Sequence, residues 1–151
     1  MNLIHLYRVA NFLHRKKIPF LPKLLYYIQF LMFNSSLPAS TQIGKKSTFA
    51  YGGIGVVIHA RAIIGDGCVI GQGITIGGRS KKVQVPKIGN NVYLGAGCRI
   101  LGDIIIGDEV VIGPNSVVLA NVPSGSIVVG VPGKVVKTGI KMCDFVFPIA
   151  H

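Results

Sequence analysis

Ile88, Leu94, Ile100, Ile106, Ile112 and Val118 stand six residues apart without a slip, and Ile58, Ile64, Ile70 and Ile76 keep the same spacing upstream. A strand turns its side chains over every two residues and an amphipathic helix repeats near 3.6, so a sustained period of six belongs to neither element alone. It belongs to a solenoid of short strands. Four residues after each aliphatic comes a second small or β-branched residue, as at Thr41, Ser47, Ala62, Cys68, Ile74, Val92, Cys98, Ile104, Val110, Ser116 and Val122. Two inward positions per hexad describe one flat face and one corner of a triangular prism. Glycine often follows the first position, at Gly44, Gly65, Gly71, Gly77, Gly89, Gly95, Gly107 and Gly113, where its tolerance of positive φ is expected to suit a tight corner. Three hexads close a coil of about eighteen residues, and coils stack at about 4.8 Å.

The chain has 151 residues, which reads as one domain with appended segments. Met1 to about Lys17 carries Leu3, Leu6, Tyr7, Ala10 and Leu13 along one side of a helix, and Pro19 and Pro22 break it. A second apolar stretch follows from Leu24 to Phe33. It is too short to span a bilayer, which takes about 20 residues. This helical segment, residues 1–36, either caps the open end of the prism or packs against sister subunits, or it lies on a membrane surface with Tyr26, Tyr27 and the basic residues at the interface. The prism is expected over residues 37–136 and a tail over 137–151, where Met142, Phe145, Val146, Phe147 and Ile149 fold back onto a neighbouring surface. The first coil, Leu37 to Val57, is lengthened by about three residues around Tyr51-Gly52-Gly53, and the third, Ile76 to Arg99, by about six, Ser80 to Val85. Because six is one hexad, the beat passes through the second insertion undisturbed. Arg79, Ser80, Lys81, Lys82 and Gln84 favour an exposed arm there, and a further buried face is the rival reading.

Folding must offset roughly 1.5 kcal/mol of ordering per residue against about 1.5 to 3 kcal/mol for each buried aliphatic, a thin margin for a narrow prism. Side-by-side oligomers are therefore expected. The net charge is +11, but no basic motif with interleaved aromatics accompanies it, so no nucleic-acid partner is expected. Asp66 is the first acidic residue, preceded by Arg8, Arg15, Lys16, Lys17, Lys23, Lys45, Lys46 and Arg61. Cys68, Cys98 and Cys143 make no disulfide framework, and the first two occupy inward positions where a small apolar residue packs. No signal peptide is read at the start, and a cytoplasmic location is the default.

Four runs carry a resemblance: Gly55-Val56-Val57-Ile58; the Gly77-Gly78 step into a polar loop ending Pro86-Lys87-Ile88-Gly89; Gly95-Ala96-Gly97-Cys98-Arg99-Ile100-Leu101-Gly102; and Gly130-Val131-Pro132-Gly133-Lys134. Over roughly its last two-thirds the chain resembles the hexapeptide-repeat acyltransferases, and within them the serine acetyltransferases and related polysaccharide-locus acetyltransferases. The resemblance implies a mainly β fold, a left-handed parallel β-helix whose hand runs against the usual rule for crossovers. It also implies a homotrimer, acetyl-CoA as co-substrate, a small hydroxyl acceptor, and a groove between adjacent subunits. The basic surface then has a further use, attracting either the phosphates of coenzyme A or an anionic membrane.

Transfer of an acyl group from a thioester to a hydroxyl needs a base near the acceptor, donors for the developing oxyanion and a channel for the pantetheine arm. His5 and His14 lie in the helical segment and His151 near the tail's end, which leaves His59 as the one histidine of the prism and the candidate base. One histidine cannot hold zinc, so no metal is expected. The resemblance implies that Gly77, Gly78, Ala96, Gly97 and Gly113 offer backbone groups to pantetheine, that Lys134 and Lys137 face the adenosine phosphates, and that Arg79, Lys82 and Gln84 help choose the acceptor. Tyr51 is either a donor to acceptor or oxyanion, or a packed aromatic. The family pattern also departs: its catalytic histidine maps to Gly52, the neighbouring aspartate to Tyr51, a second acid to Ser36 and a substrate-side histidine to Val85. Serine is the family's default acceptor, a sugar hydroxyl in surface-polysaccharide synthesis is the rival, and a catalytically silent scaffold is the reading of a different class.

Overall fold

The computed structural model describes residues 1–80 and 83–146. Two helices, α1 (Leu3–Arg15) and α2 (Leu21–Phe33), precede a left-handed β-helix. The first coil holds β1 (Gln42–Ile43), β2 (Thr48–Phe49) and β3 (Val57–Ile58); the second β4 (Ile63–Ile64), β5 (Val69–Ile70) and β6 (Thr75–Gly77). The third holds β7 (Lys87–Ile88), β8 (Tyr93–Leu94) and β9 (Arg99–Leu101); the fourth β10 (Ile105–Ile106), β11 (Val111–Ile112) and β12 (Val117–Val118). After β13 (Ile127–Val129), β14 (Lys134–Lys137) turns back antiparallel and ends the stack. The three faces are the sheets β1-β4-β7-β10, β2-β5-β8-β11-β13 with β14 outside it, and β3-β6-β9-β12.

Register explains the six-residue beat. Ile43, Ile64, Ile88 and Ile106 stack on the first face, Phe49, Ile70, Leu94, Ile112 and Val128 on the second, and Ile58, Ile76, Ile100 and Val118 on the third. All of them are buried, together with Ala62, Cys68, Ile74, Val92, Cys98, Ile104 and Val110 at the second inward position. The extra residues of the first coil form a short 3-10 segment at Ala50–Gly53. Those of the third leave the prism as an arm: Gly78, Arg79, Ser80, Val83 and Gln84 are exposed, and the chain returns at buried Val85 and Pro86.

The corner glycines work differently from the expectation. Gly44, Gly65, Gly71, Gly89, Gly95 and Gly107 are absent from the positive-φ residues. Their constraint is close approach of stacked coils: a Cβ on Gly95 would lie 2.6 Å from Ile112 O and Pro114 N, and one on Gly65 would lie 2.5 Å from Gly89 O. The left-handed position comes two residues later, at Lys46, Gly67, Gly73, Asn91, Gly97, Glu109 and Asn115. Side-chain oxygens lock one corner between coils. Lys45 N donates to Asp66 Oδ1 at 2.6 Å, Asp66 N to Asn90 Oδ1 at 2.9 Å, Asn90 N to Asp108 Oδ1 at 2.6 Å and Asp108 N to Ser124 Oγ at 3.0 Å.

The first coil has no coil beneath it, so carbonyls on its outer edge lack ladder partners, an exposed edge that proteins must cover. The helices supply donors. Tyr7 Oη donates to Thr41 O at 2.5 Å, Arg8 to Ile43 O and Gly44 O, Asn11 to Ala39 O and Thr41 O, Asn2 to Phe49 O, and Gln29 to Leu37 O. Leu3, Ile4, Tyr7 and Ala10 bury the inner side of α1, which Asn2 caps. The second helix starts earlier than Leu24 because Pro22 fits its first turn, where a missing N–H costs nothing. In the tail, Met142 N donates to Glu109 Oε2 and Ile140 is buried, while Phe147, Ile149 and His151 lie outside the described residues.

Candidate active site

Parallel register sorts the candidate residues onto two edges of the prism. His59 N donates to Ile76 O and Gly102 N to Gly77 O, so His59, Gly77 and Leu101 form one column at the edge between third and first faces. The arm springs from that edge, bringing Gly78, Arg79 and Gln84 with it; Lys82 lies outside the described residues. Arg61 Nη2 donates to Val83 O at 2.5 Å and ties the returning arm to the corner of His59. Nothing in the spacing pattern singled out Arg61. Arg79 lies against Gly102, where an added Cβ would come within 3.3 Å of the arginine Cβ.

The second edge, between second and third faces, holds Tyr51, Ala96, Gly97 and Gly113. Gly97 N donates to Gln72 O, Asn115 N to Ala96 O and Gly73 N to Ile54 O along it. Lys134 pairs in register with Val129 at this end of β13, while Lys137 pairs with Ile127 at the opposite end. The two lysines therefore do not share one edge. About four extended residues, on the order of 13 Å, separate the edges across the third face. Within one copy the two sets of candidate residues are kept apart.

His59 is half-buried, and its Nδ1 accepts the Arg61 backbone N–H at 3.1 Å. In the neutral ring that bond places the remaining proton on Nε2. The histidine is also less anomalous than its sequence position suggests. At the same column, a Cβ on Gly77 meets nothing closer than 3.8 Å, and Leu101 carries a full side chain, so this corner does not demand glycine.

That openness distinguishes the candidate glycines. A Cβ on Gly77 or Gly78 meets only side-chain atoms 3.8–4.0 Å away, leaving backbone that a ligand can approach. On Gly97 it would fall 2.2 Å from Asn115 Oδ1, and on Gly113 2.8 Å from Val129 Cγ1, so coil stacking already fills those spaces. Tyr51 is 80% exposed with φ 50°, a left-handed conformation unusual for an aromatic residue, and packs in no core. Gly52 follows it, also with positive φ, where the family pattern has its histidine. Arg99, on the outer side of the third face, turns Nη1 onto Gly73 O at 2.5 Å and Gly97 O at 3.1 Å. This puts a half-buried cation at the second edge that the spacing pattern did not mark.

Burial removes the prism cysteines from consideration as nucleophiles. It pushes the Cys98 thiol up to about 12 and raises that of Cys68. Among the described residues no three His, Cys, Asp or Glu side chains cluster as metal ligands. A groove of about 840 Å³ between α1 and the first face, lined by Arg8, His14, Arg15, Lys45 and Asp66 among others, holds none of the residues assigned to acyl transfer.

Residues 86–120 match the family model for the bacterial transferase hexapeptide (six repeats). The chain is 41% identical over 148 residues to a serine acetyltransferase of Synechococcus elongatus, covering 96% of this chain and 59% of that protein. The crystal structure of a serine acetyltransferase in complex with coenzyme A from Brucella abortus superposes with a TM-score of 0.84 at 30% identity, covering 91% of this chain and 56% of that one. A Neisseria gonorrhoeae serine acetyltransferase in complex with serine gives 0.82 at 31% identity, covering 89% and 55%. The chain thus spans little more than half the length of the relatives it matches.

Proposed function

We propose that this hexapeptide-repeat chain, homologous to serine acetyltransferases along nearly its whole length, is an acetyl-CoA-dependent O-acetyltransferase that works as a homotrimer in the cytoplasm. The observation that carries this reading is the 96% coverage at 41% identity, helices included, by a protein named for that activity. The likeness to a chain solved with coenzyme A and another solved with serine supports acetyl-CoA as donor and a small hydroxyl, L-serine or a related molecule, as acceptor.

In this mechanism the acceptor hydroxyl attacks the thioester carbonyl directly. The acceptor oxygen–carbonyl bond forms, the carbon–sulfur bond breaks, and the hydroxyl proton passes by way of His59 to the departing coenzyme A thiolate. His59 Nε2 can accept that proton only if Nδ1 carries the ring's own, so the ring must release the Arg61 amide. Losing one hydrogen bond costs about 0.5–1.5 kcal/mol, roughly a factor of ten at most, against the 10²–10⁴-fold that a general base contributes. The base role survives that cost. Gly77 and Gly78 receive the pantetheine arm at the same edge, Ala96, Gly97 and Gly113 border the neighbouring copy's side of the groove, and Lys134, at the end of β13 on that side, attracts phosphates, Lys137 at the opposite end adding only to the basic surface. Arg79, Lys82 and Gln84 of the arm select the acceptor, and Tyr51 donates toward it or the oxyanion.

A second reading, a sugar hydroxyl as acceptor, is favoured by Gly52, Tyr51, Ser36 and Val85 standing where the family has its histidines and acids. Thiol release from acetyl-CoA, measured with serine and a panel of sugars, separates the two. His59→Ala is expected to lower kcat by 10²–10⁴-fold with the productive acceptor. Unchanged turnover would remove His59 from the mechanism, and coenzyme A binding with no productive acceptor would leave a silent scaffold.

A further inference from the structure

We infer that α2 and the turn before it form a docking face for an anionic lipid surface. Only Gln29 and Phe33 of α2 are buried. At 100° per residue these two lie side by side, and Phe30, Tyr27, Leu31, Leu24, Leu21 and Met32 sweep an arc of roughly 200° on the other side. All six are exposed, Leu31 to 82%, and Phe20 in the turn to 87%. Lys23 is the one charged residue of the helix. A helix apolar around most of its surface belongs in a core or in lipid, and a contiguous exposed patch of this extent marks an interaction site.

Charge decides between the occupants. Lys23 lies within the arc, between Phe30 and Tyr27, Lys16 and Lys17 stand at the end of α1 just before the turn, and no acidic residue precedes Asp66 in the chain. A second copy docking through the same face would set these cations against their own kind. An anionic bilayer neutralises them, each basic residue at such a surface strengthening binding by about fivefold. The geometry suits lying flat. Among the described residues no helix is long and apolar enough to cross a membrane, whereas a helix that buries one narrow stripe on its own protein and turns an apolar arc with a tyrosine outward can lie along the lipid boundary, where tyrosine rings sit at headgroup level.

The inference is independent of acetyl transfer, since no residue of α2 or its turn has a part in the reaction proposed above. It is tested with the full chain and vesicles of phosphatidylcholine, with or without a quarter phosphatidylglycerol, by co-sedimentation. Binding to the anionic vesicles is expected to be at least tenfold tighter than to the neutral ones and to fall in 0.5 M salt. Leu24→Glu with Leu31→Glu, both at exposed positions, should abolish it, and Lys16→Gln, Lys17→Gln and Lys23→Gln together should weaken it at least tenfold. Circular dichroism and acetyl transfer by the variants should match the parent. Absence of sedimentation with anionic vesicles, equal binding to both vesicle types, or unchanged binding by the glutamate variant would overturn the proposal. Loss of self-association by that variant without any vesicle binding would assign the face to a second copy instead.

Discussion

At the residue scale, one side chain's cost is set by what the next coil places against it. Gly95 and Gly77 both follow an inward aliphatic, yet a Cβ on Gly95 meets backbone at 2.6 Å and one on Gly77 meets only side-chain atoms near 4 Å. Gly95→Ala is therefore expected to destabilise by about 2 kcal/mol or more, because backbone must shift, whereas Gly77→Ala stays within about 0.5 kcal/mol. If Gly77 receives pantetheine, its alanine variant instead raises the KM for acetyl-CoA at unchanged melting temperature; denaturant curves and initial rates read the two effects separately. Cys98 gives a second contrast. Its thiol is raised from 9.0 to about 12 by burial, so the unfolded chain ionises first as pH rises, and the stability held by the neutral thiol is full below pH 9 and declines toward pH 12. Between pH 8 and pH 10.5 this group alone should remove about 2 kcal/mol, and Cys98→Ala should remove that part of the slope. In native protein at pH 8 a thiol reagent should reach the exposed Cys143 and spare Cys68 and Cys98 until unfolding.

At the scale of elements, two-residue strands gain permanence from what joins them at the corners. The chain of acceptors Asp66, Asn90, Asp108 and Ser124 fixes each coil to the next on one edge. Asp108→Ala should cost about 0.5–1 kcal/mol by leaving the exposed Asn90 N–H to water, while Asp108→Asn, which keeps an acceptor oxygen, should be near neutral; urea midpoints distinguish them. The strands, their register and the three-residue extension were legible in sequence because each inward position is buried and takes a small or apolar side chain, the hydroxyls of Thr41, Ser47 and Ser116 bonding to backbone there. The corners were less so. Lys46 and Glu109 adopt positive φ where residue type gives no hint of it, unlike Asn91, and the glycines answer to packing between coils that no single hexad displays. The helices' role was half legible: the apolar side of α1 announces burial, but the use of Tyr7, Arg8 and Asn11 as donors to orphan carbonyls of the first coil depends on which strand edge the fold leaves open.

For the whole molecule, the insertion hid the layout of the candidate site. An extra hexad can be an arm or a face, and the choice rotates every later residue by one edge. With the arm outside the prism, Ala96, Gly97 and Gly113 fall on the Tyr51 edge and not on that of His59. His59 and Gly77 were placed together in sequence because no insertion lies between them. The separation has a consequence for assembly. Two edges about 13 Å apart across one face can act on one acyl group only if the His59 edge of one copy meets the Gly97 edge of another. A trimer built in this way has three sites, each drawing on two copies. His59→Ala blocks one edge and Ala96→Trp, placed on the other, obstructs the groove without touching the first. Each variant alone should be inactive. Unfolded together in equal amounts and refolded, they should regain about a quarter of parental activity, since each site takes an intact edge from each side with a chance of one half. Activity remaining at the level of either variant alone would mean that each copy works with its own edges or not at all, and the shared groove would have to be abandoned.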